Sequence, residues 1–430
     1  MSARLATGRP AGPAPRAAAP GGLPRLIPPA AVPDPRPAAH LARLGPLPAL
    51  APAALIAEVE RSGLAGRGGA AFPVHRKLAA VAAGRAGVVA GNGAEGEPGS
   101  SKDATLLWLA PHLVLDGLEL AARATGATRT LLYVPRDPDL TSHLSRVLSY
   151  RQHPAELAGA PDRFLAGEES ALVAAISGEP ARPRFKRPPV YARGIGGRPT
   201  LVHNVETLAH LALIARFGAA WFRAAGTAAE PGTMLVTVQR ADGGRHVTEA
   251  ALGTPLRDLL GGLRPGQAQA VLCGGYHGAW LPAARAAGLT LDNAALRPAG
   301  AFAGAGVLAE LPASHCGLAE TARVARYLAL ESAGQCGPCF NGLPRIAAAL
   351  ADLAIARPAP RQLADVQRWS GLVAGRGACH HPDGFTRFVA SALAVFGPEL
   401  ERHARGRCHA TSARPFLPVP AGAATEEDWS

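Results

Sequence analysis

Two hydrophobic periods alternate along this chain. Ala53-Ala54-Leu55-Ile56-Ala57-Glu58-Val59-Glu60 has the helical spacing of a short amphipathic segment, and a glycine-rich run, Gly66-Arg67-Gly68-Gly69-Ala70-Ala71-Phe72-Pro73, follows it. Short apolar runs at 87–90 and 130–134 predict strands, and the stretches 104–124 and 139–149 predict helices. Strand and helix in alternation predict an α/β layer. A polar loop, Asn92-Gly93-Ala94-Glu95-Gly96-Glu97-Pro98-Gly99, lies between them.

Past residue 230 the period changes. The runs 234–238 and 246–249 flank Asp242-Gly243-Gly244, a hairpin signal. Thr254-Pro255 opens a short helix and 270–272 reads as a strand, which gives a small β-rich module. From about residue 318 the pattern is helical. Phe385, Phe388, Val389, Leu393 and Phe396 share one helix face and predict the core of a small bundle.

These shifts divide the 430 residues into a Pro/Ala/Arg-rich tail (1–50), expected to be disordered or draped on the surface, and an α/β domain (51–228). A β module (229–312), a helical domain (313–408) and a flexible C-terminal tail (409–430) follow. The net charge of +12 comes mostly from scattered arginines, and aromatic residues make up only 5%. No basic stripe interleaved with stacking residues occurs, which excludes nucleic acid as a partner. The charge suits an acidic redox partner of the ferredoxin kind, although a coding bias toward arginine accounts for it equally well. No charge-free stretch of 18 apolar residues and no secretory pattern appear, so a reduced, cytoplasmic setting is expected.

The cysteines sharpen the picture. Cys336-Gly337-Pro338-Cys339 and the distant Cys379 offer three soft thiolates, as an iron–sulfur cluster or a zinc ion requires. A Cys-x2-Cys-x2-Cys segment would place another cysteine where Ala333 stands. His380 and His381 adjoin Cys379, and Cys408 becomes a further ligand if the tail folds back. Zinc and a metal-free reading stay open beside the cluster. Cys273 and Cys316 have no partner spacing and read as ordinary buried thiols.

Four polar runs occur in order: the glycine loop, the loop at 92–99, Gly167-Glu168-Glu169-Ser170-Ala171-Leu172, and Val202-His203-Asn204-Val205-Glu206-Thr207. Taken singly, a glycine loop is a turn and a carboxylate pair at a helix start compensates the helix dipole. Together, over residues 55 to 405, they resemble the flavin- and NADH-binding subunit of respiratory complex I. The relatives they resemble include the flavoprotein subunits of NAD-linked hydrogenases and formate dehydrogenases. In that family the runs read close to Gly-Arg-Gly-Gly-Ala-Gly-Phe-Pro, Asn-x-Asp-Glu-x-Glu-Pro-Gly, Cys-Gly-Glu-Glu-Thr-Ala-Leu and Asn-Asn-Val-Glu-Thr.

The resemblance implies an α/β FMN-binding domain, a β-grasp domain of the soluble-ligand-binding type and a C-terminal α-helical iron–sulfur bundle. It implies that Gly66, Gly68, Gly69 and Lys77 hold the phosphate and ribityl end of FMN. Asn92, Glu95, Glu97, Gly167, Glu168, Asn204 and Thr207 would line the flavin, and Phe72, Glu169 and Lys186 would face NAD(H) or NADP(H). Glu97 and Glu169 are the implied catalytic residues, and Cys336, Cys339 and Cys379 the ligands of a [4Fe–4S] or [3Fe–4S] cluster. The activity implied is that of an NADH dehydrogenase-type oxidoreductase feeding a ferredoxin-like or [2Fe–2S] partner within a multi-subunit complex, peripheral to a membrane only through its partners. The departures are Ala94 for a carboxylate, His203 for an asparagine, and Ala80 and Pro189 for two aromatics that sandwich adenine. Arg187 is suited to the extra phosphate of NADPH. Two other readings stay open: an FMN/iron–sulfur carrier between proteins without nicotinamide, and a degenerate scaffold.

Overall fold

In the computed structural model the described residues are 22–29, 31–84, 87–185, 188–263, 266–355, 361–420 and 427–429. Near-continuous apolar runs make strands buried on both faces, and these call for a parallel sheet. β1 (Val88–Asn92), β2 (Arg129–Pro135), β3 (Glu156–Ala160) and β4 (Thr200–Asn204) form such a sheet in the order β3-β2-β1-β4. Before it come α1 (Ala38–Leu44), α2 (Pro52–Ser62) and α3 (Val74–Ala82). α4 (Lys102–Leu109) and α5 (Pro111–Thr125) cross from β1 to β2, and α6 (Pro138–Leu148) crosses from β2 to β3. α7 (Glu169–Ile176) precedes β4 and α8 (Val205–Arg223) follows it.

The helix expected over 104–124 is two helices meeting at 96°. Pro111 has no N–H to continue the first and sits instead at the start of the second. α5 and α8 approach so closely at Gly117 that a Cβ there would fall 1.9 Å from the Leu208 carbonyl oxygen. No single helix among the described residues is long and apolar enough to cross a membrane.

The second sheet contains β5 (Thr233–Gln239), β6 (Arg245–Ala251), β7 (Ala268–Cys273), β8 (Ala279–Pro282) and β9 (Val307–Pro312). Its order is β6-β5-β9-β7-β8, with β9 parallel to β5 and antiparallel to β7. The predicted hairpin joins β5 to β6, with Gly243 at φ +89° in its turn. One-turn helices α9 (Leu256–Leu259), α10 (Ala283–Ala286) and α11 (Asn293–Leu296) fill the connections. Next come α12 (Gly317–Leu330), α13 (Leu343–Ala354), α14 (Gln362–Val373), α15 (His381–Val395) and α16 (Gly397–Ala404). Phe385, Phe388, Val389 and Phe396 are buried in one cluster with Leu343, Ile346 and Leu350, and Leu393 packs against it half-buried.

Both tails pack more than their composition suggests. Glu249 on β6 accepts the N–H groups of Arg25 (2.6 Å) and Leu26 (2.8 Å), and Leu26 is fully buried. Asp116 accepts from His40 on α1 at 2.8 Å and from Arg216 on α8 at 2.5 Å. At the other end, Glu320 accepts the N–H groups of Phe416 and Leu417 at 3.0 Å each, and Trp429 is buried. Sparse but well-placed apolar residues and buried carboxylates thus order the described parts of segments expected to be loose. Residues 1–21, 421–426 and 430 lie outside the described residues.

A buried ion cluster joins the two sheets. Lys102 at the start of α4 lies 2.7 Å from Asp103 and 2.9 Å from Glu206, and Glu206 also accepts the Leu235 N–H of β5 at 2.8 Å. Burial disfavours the Lys102 charge, but the two carboxylates outweigh it and raise its pKa. Burial likewise opposes the Glu206 charge, yet Lys102 holds that carboxyl down to about 2. Lys102→Met leaves two buried carboxylates without their cation, with an expected loss of about 3–5 kcal/mol in urea unfolding. A loss within about 1 kcal/mol would show that the cluster does not hold the domains together.

Candidate active site and thiol cluster

The strand order puts a topological break between β1 and β4, a position where a crevice forms beyond the carboxyl ends of the strands. Asn92 and Asn204 are register partners there. Asn92 donates to the Gly167 carbonyl at 2.7 Å, tying the 92–99 loop to the start of α7. A Cβ on Gly167 would lie 2.7 Å from the Ala94 oxygen, so backbone meets backbone at this junction. Asn204 caps α8 by accepting the Glu206 N–H at 3.0 Å and donates to Asp103 at 2.7 Å.

The glycine loop lies over these residues. A Cβ on Gly68 would sit 3.3 Å from the Asn204 Cβ, and the Arg67 N–H donates to Thr207 Oγ1 at 2.9 Å. Gly66 donates its N–H to the Phe72 carbonyl at 2.9 Å, closing the loop before α3. Gly69 has φ +100°, and Ala71 has φ +50° where the family run has glycine. That backbone is unfavourable for alanine by roughly 1–2 kcal/mol. Lys77 on α3 pairs with Glu169 on α7 at 2.7 Å across the opening, and its ammonium lies 5.9 Å from the ring centroid of exposed Phe72.

Some expected lining residues are turned to other tasks. Thr207 is buried beneath the glycine loop. Glu95 accepts the Asp103 and Ala104 N–H groups at 3.2 Å each and so caps α4. Glu168 caps α7, accepting from Ser170 at 2.9 Å and Ala171 at 3.3 Å. Lys186 and Arg187 lie outside the described residues. His203 is buried, its Nε2 has no hydrogen-bond partner among the described residues, and burial together with Lys77 lowers its pKa to about 3. Ala80 is exposed on α3 and Pro189 half-buried.

Glu97 reaches away from the crevice to the second sheet. Its carboxylate accepts the N–H groups of Tyr276 at 2.7 Å and Gly99 at 3.1 Å, and a Cβ on Gly275 would come within 2.5 Å of it. Burial raises its pKa to about 7, against the pull of those N–H groups. The same turn carries His277, whose Nε2 lies 2.9 Å from His381 Nδ1. Phe164, from the first domain, packs on His277 with ring centroids 4.7 Å apart and on His381 at 5.8 Å. Contacts therefore run from the 92–99 loop through the backbone of the Tyr276–His277 turn to His381, beside Cys379. Sequence reasoning missed this path because Tyr276, His277 and Phe164 belong to no motif.

Cys336 and Cys339 have their sulfurs 3.6 Å apart at the entry to α13, and Cys379 is buried just before α15. Burial, with the Cys336 and Cys379 sulfurs adding to it, pushes the Cys339 thiol up to about 11. By donor type three thiolates suit a cluster, although among the described residues Cys379 is not grouped with the other two sulfurs within 4.8 Å. A fourth cysteine is missing: Ala333, 4% exposed, clusters with Leu165 and Trp429. Nor is His381 free to ligate: its Nε2–H donates to the Leu328 carbonyl at 2.8 Å and its Nδ1 accepts from His277. His380 is exposed, 3.6 Å from Asp383. Cys408 groups with Cys316, Glu399 and His403, in a cluster of its own.

Comparison with known proteins agrees with this layout. The Nuo51 FMN-binding domain family matches residues 59–213, and the NADH-ubiquinone oxidoreductase-F iron–sulfur binding region matches residues 314–403. The F subunit of the Streptomyces coelicolor NADH-quinone oxidoreductase is 29% identical over 386 residues, covering 84% of this chain and 85% of that protein. Its counterpart in Mycobacterium tuberculosis is 30% identical over 383 residues, covering 82% of this chain and 85% of that protein. Among solved structures, a chain of an NAD+-reducing [NiFe]-hydrogenase in the H2-reduced state superposes with a TM-score of 0.75 at 31% identity. That match covers 82% of this chain and 63% of the hydrogenase chain. With both regions matched in order around the crevice and the thiol cluster, the chain belongs to the family of NADH-quinone oxidoreductase F subunits.

Proposed function

We propose that the chain is an NADH-oxidising flavin–iron–sulfur electron-transfer protein that works in a multi-subunit cytoplasmic complex with a ferredoxin-like or [2Fe–2S] partner. The single observation that carries this reading is the run of contacts from the 92–99 loop, which borders the crevice, through Glu97, Tyr276, His277 and His381 to the segment beside Cys379. FMN, when bound, supplies two-electron acceptance from a nicotinamide and one-electron release to metal centres. Gly66, Gly68, Gly69 and Lys77 would hold its phosphate end, with Asn92, Gly167 and Asn204 beside the ring. Glu95, Glu168 and Thr207 would support those loops from behind, as their helix-capping and loop-holding bonds suggest. Phe72 and Glu169, with Lys186, would meet the nucleotide. The sheet at 229–312 is read as a β-grasp domain, and the helices at 313–408 as an iron–sulfur bundle with Cys336, Cys339 and Cys379 as ligands.

The Lys77–Glu169 pair gives the opening a charge arrangement a dinucleotide can exchange with on entry. A second reading, a carrier between proteins that uses no nicotinamide, is favoured by Ala80 and Pro189, which offer adenine no aromatic faces. Two lost stacking contacts weaken binding by about 1–3 kcal/mol.

Anaerobic titration of the FMN-loaded protein with NADH separates the two. Bleaching of the flavin absorption at stoichiometric NADH is expected; bleaching by dithionite alone would leave the carrier. Ala333→Cys should convert the electron paramagnetic resonance of the reduced protein to that of an ordinary [4Fe–4S] centre. An unchanged spectrum would mean that residue 333 lies outside the cluster's reach. Glu97 also carries a signature in stability. The unfolded chain loses this proton near the ordinary carboxylate value and the folded chain near 7, so the group lowers stability as pH rises between those points. Glu97→Gln should flatten that decline by roughly 1–3 kcal/mol in urea melts, whereas parallel curves would refute a desolvated Glu97.

A further inference from the structure

Apart from the three thiols just described, a group of metal-type donors converges elsewhere in the helical region. Cys316 at the N-cap of α12, Glu399 and His403 on α16, and Cys408 beyond it bring one donor atom each within 4.8 Å of all the others. The first three are buried and Cys408 is exposed, which leaves a way in. The Cys316 sulfur lies 3.7 Å from His403 Nε2, and that nitrogen lies 3.1 Å from Glu399 Oε1. A tetrahedral zinc ion, with Zn–S of about 2.3 Å and Zn–N of about 2.0 Å, spaces its ligands by comparable edges.

The tautomer of His403 presents a ligand atom to the cluster. Its Nδ1 lies 2.9 Å from the Leu353 carbonyl, an acceptor only, so Nδ1 carries the proton. That bond is the orientation partner metal-binding histidines normally have, and it leaves Nε2 as a lone pair. That lone pair faces the Cys316 sulfur at 3.7 Å, and the Glu399 Oε1 carboxylate oxygen stands 3.1 Å from the same nitrogen, so a third donor is already beside the imidazole ligand atom. In the metal-free chain the thiol protons occupy these contacts, Cys316 toward His403 Nε2 and Cys408 toward Glu399, and a divalent cation would take the place of both. Both sulfurs also accept a backbone N–H, Cys316 from Ala319 and Cys408 from Ala410, each at 3.4 Å. Glu399 is anchored through its other oxygen by Arg402 at 3.0 Å and by His409.

We infer that Cys316, His403, Cys408 and Glu399 form a structural site for a zinc-type divalent cation, separate from the iron–sulfur thiols. Binding releases one proton from each thiol; the imidazole binds neutral and the carboxylate already ionised, with no change of redox state. The ion clamps the first helix of the helical domain to its last, just where the chain turns back to lay Phe416 and Leu417 against Glu320. Sequence spacing concealed the site, because 316 and 408 stand far apart: Cys316 reads as an ordinary buried thiol, and Cys408 reads as a further ligand for the other three cysteines rather than for Cys316.

The test uses the full chain carrying Cys336→Ser and Cys379→Ser, so that the other thiols do not compete, stripped of metal and titrated anaerobically with Co2+. A thiolate-to-cobalt charge-transfer band saturating at one equivalent, and bleached by Zn2+, is expected. Adding Cys408→Ser, at an exposed position whose loss leaves the core intact, should weaken Co2+ binding roughly tenfold or more. His403→Gln should shift the cobalt d–d bands. Absence of a stoichiometric band, or a band indifferent to Cys408→Ser, overturns the site. Elemental analysis of the unmutated protein gives an independent check: one zinc per chain beyond its iron supports the site. A zinc-free protein whose exposed Cys408 thiol titrates rapidly refutes it.

Discussion

The placement of one buried ammonium group governs how the halves of this molecule meet. Lys102 satisfies two buried carboxylates, and one of them, Glu206, also receives an N–H from the second sheet. Desolvating three charges in one spot is costly, and only mutual pairing offsets that cost. Asp103, the other carboxylate, takes a hydrogen bond from Asn204 at the crevice floor. The crevice geometry and the junction between the sheets are therefore set by the same charges. A shift in one cannot leave the other in place.

Glu97 works differently at the same seam. Its desolvated carboxyl holds the turn of Tyr276 and His277, and through that turn the first domain reaches the helical domain. Two kinds of bond thus cross the junction: a fully paired ion cluster that fixes position, and a carboxyl near the point of titration that can respond to its surroundings. Phe164 fills the space beside His277 and His381 with an apolar ring.

Much of this was legible in the residues. The glycine loop, the 92–99 loop and the Asn204 segment announce themselves by composition and converge on one end of the parallel sheet. What stayed hidden depends on contacts that no local pattern records. Pro111 was visible, yet it splits a helix only because the following turn takes it as a start. Glu95, Glu168 and Thr207 were legible as polar residues of the right loops, but their partners are backbone groups of helices and of the glycine loop, which sequence spacing does not reveal. The described tails pack through a few residues, Leu26, Leu417 and Trp429, set in stretches whose average composition suggests disorder. Composition averages over a segment, whereas burial is decided residue by residue.

The register of β1 with β4 has a consequence for how the molecule is made. Asn92 and Asn204 stand side by side although 112 residues separate them along the chain. Closing so long a loop costs entropy before any contact repays it, and pairings of that kind form slowly. The β1–β2 pairing can form while β4 is still unplaced, but the crevice has only one wall until β4 arrives. Topology therefore puts the crevice among the late-forming parts of its own sheet, and a ligand that binds there captures chains whose longest-range pairing is already complete.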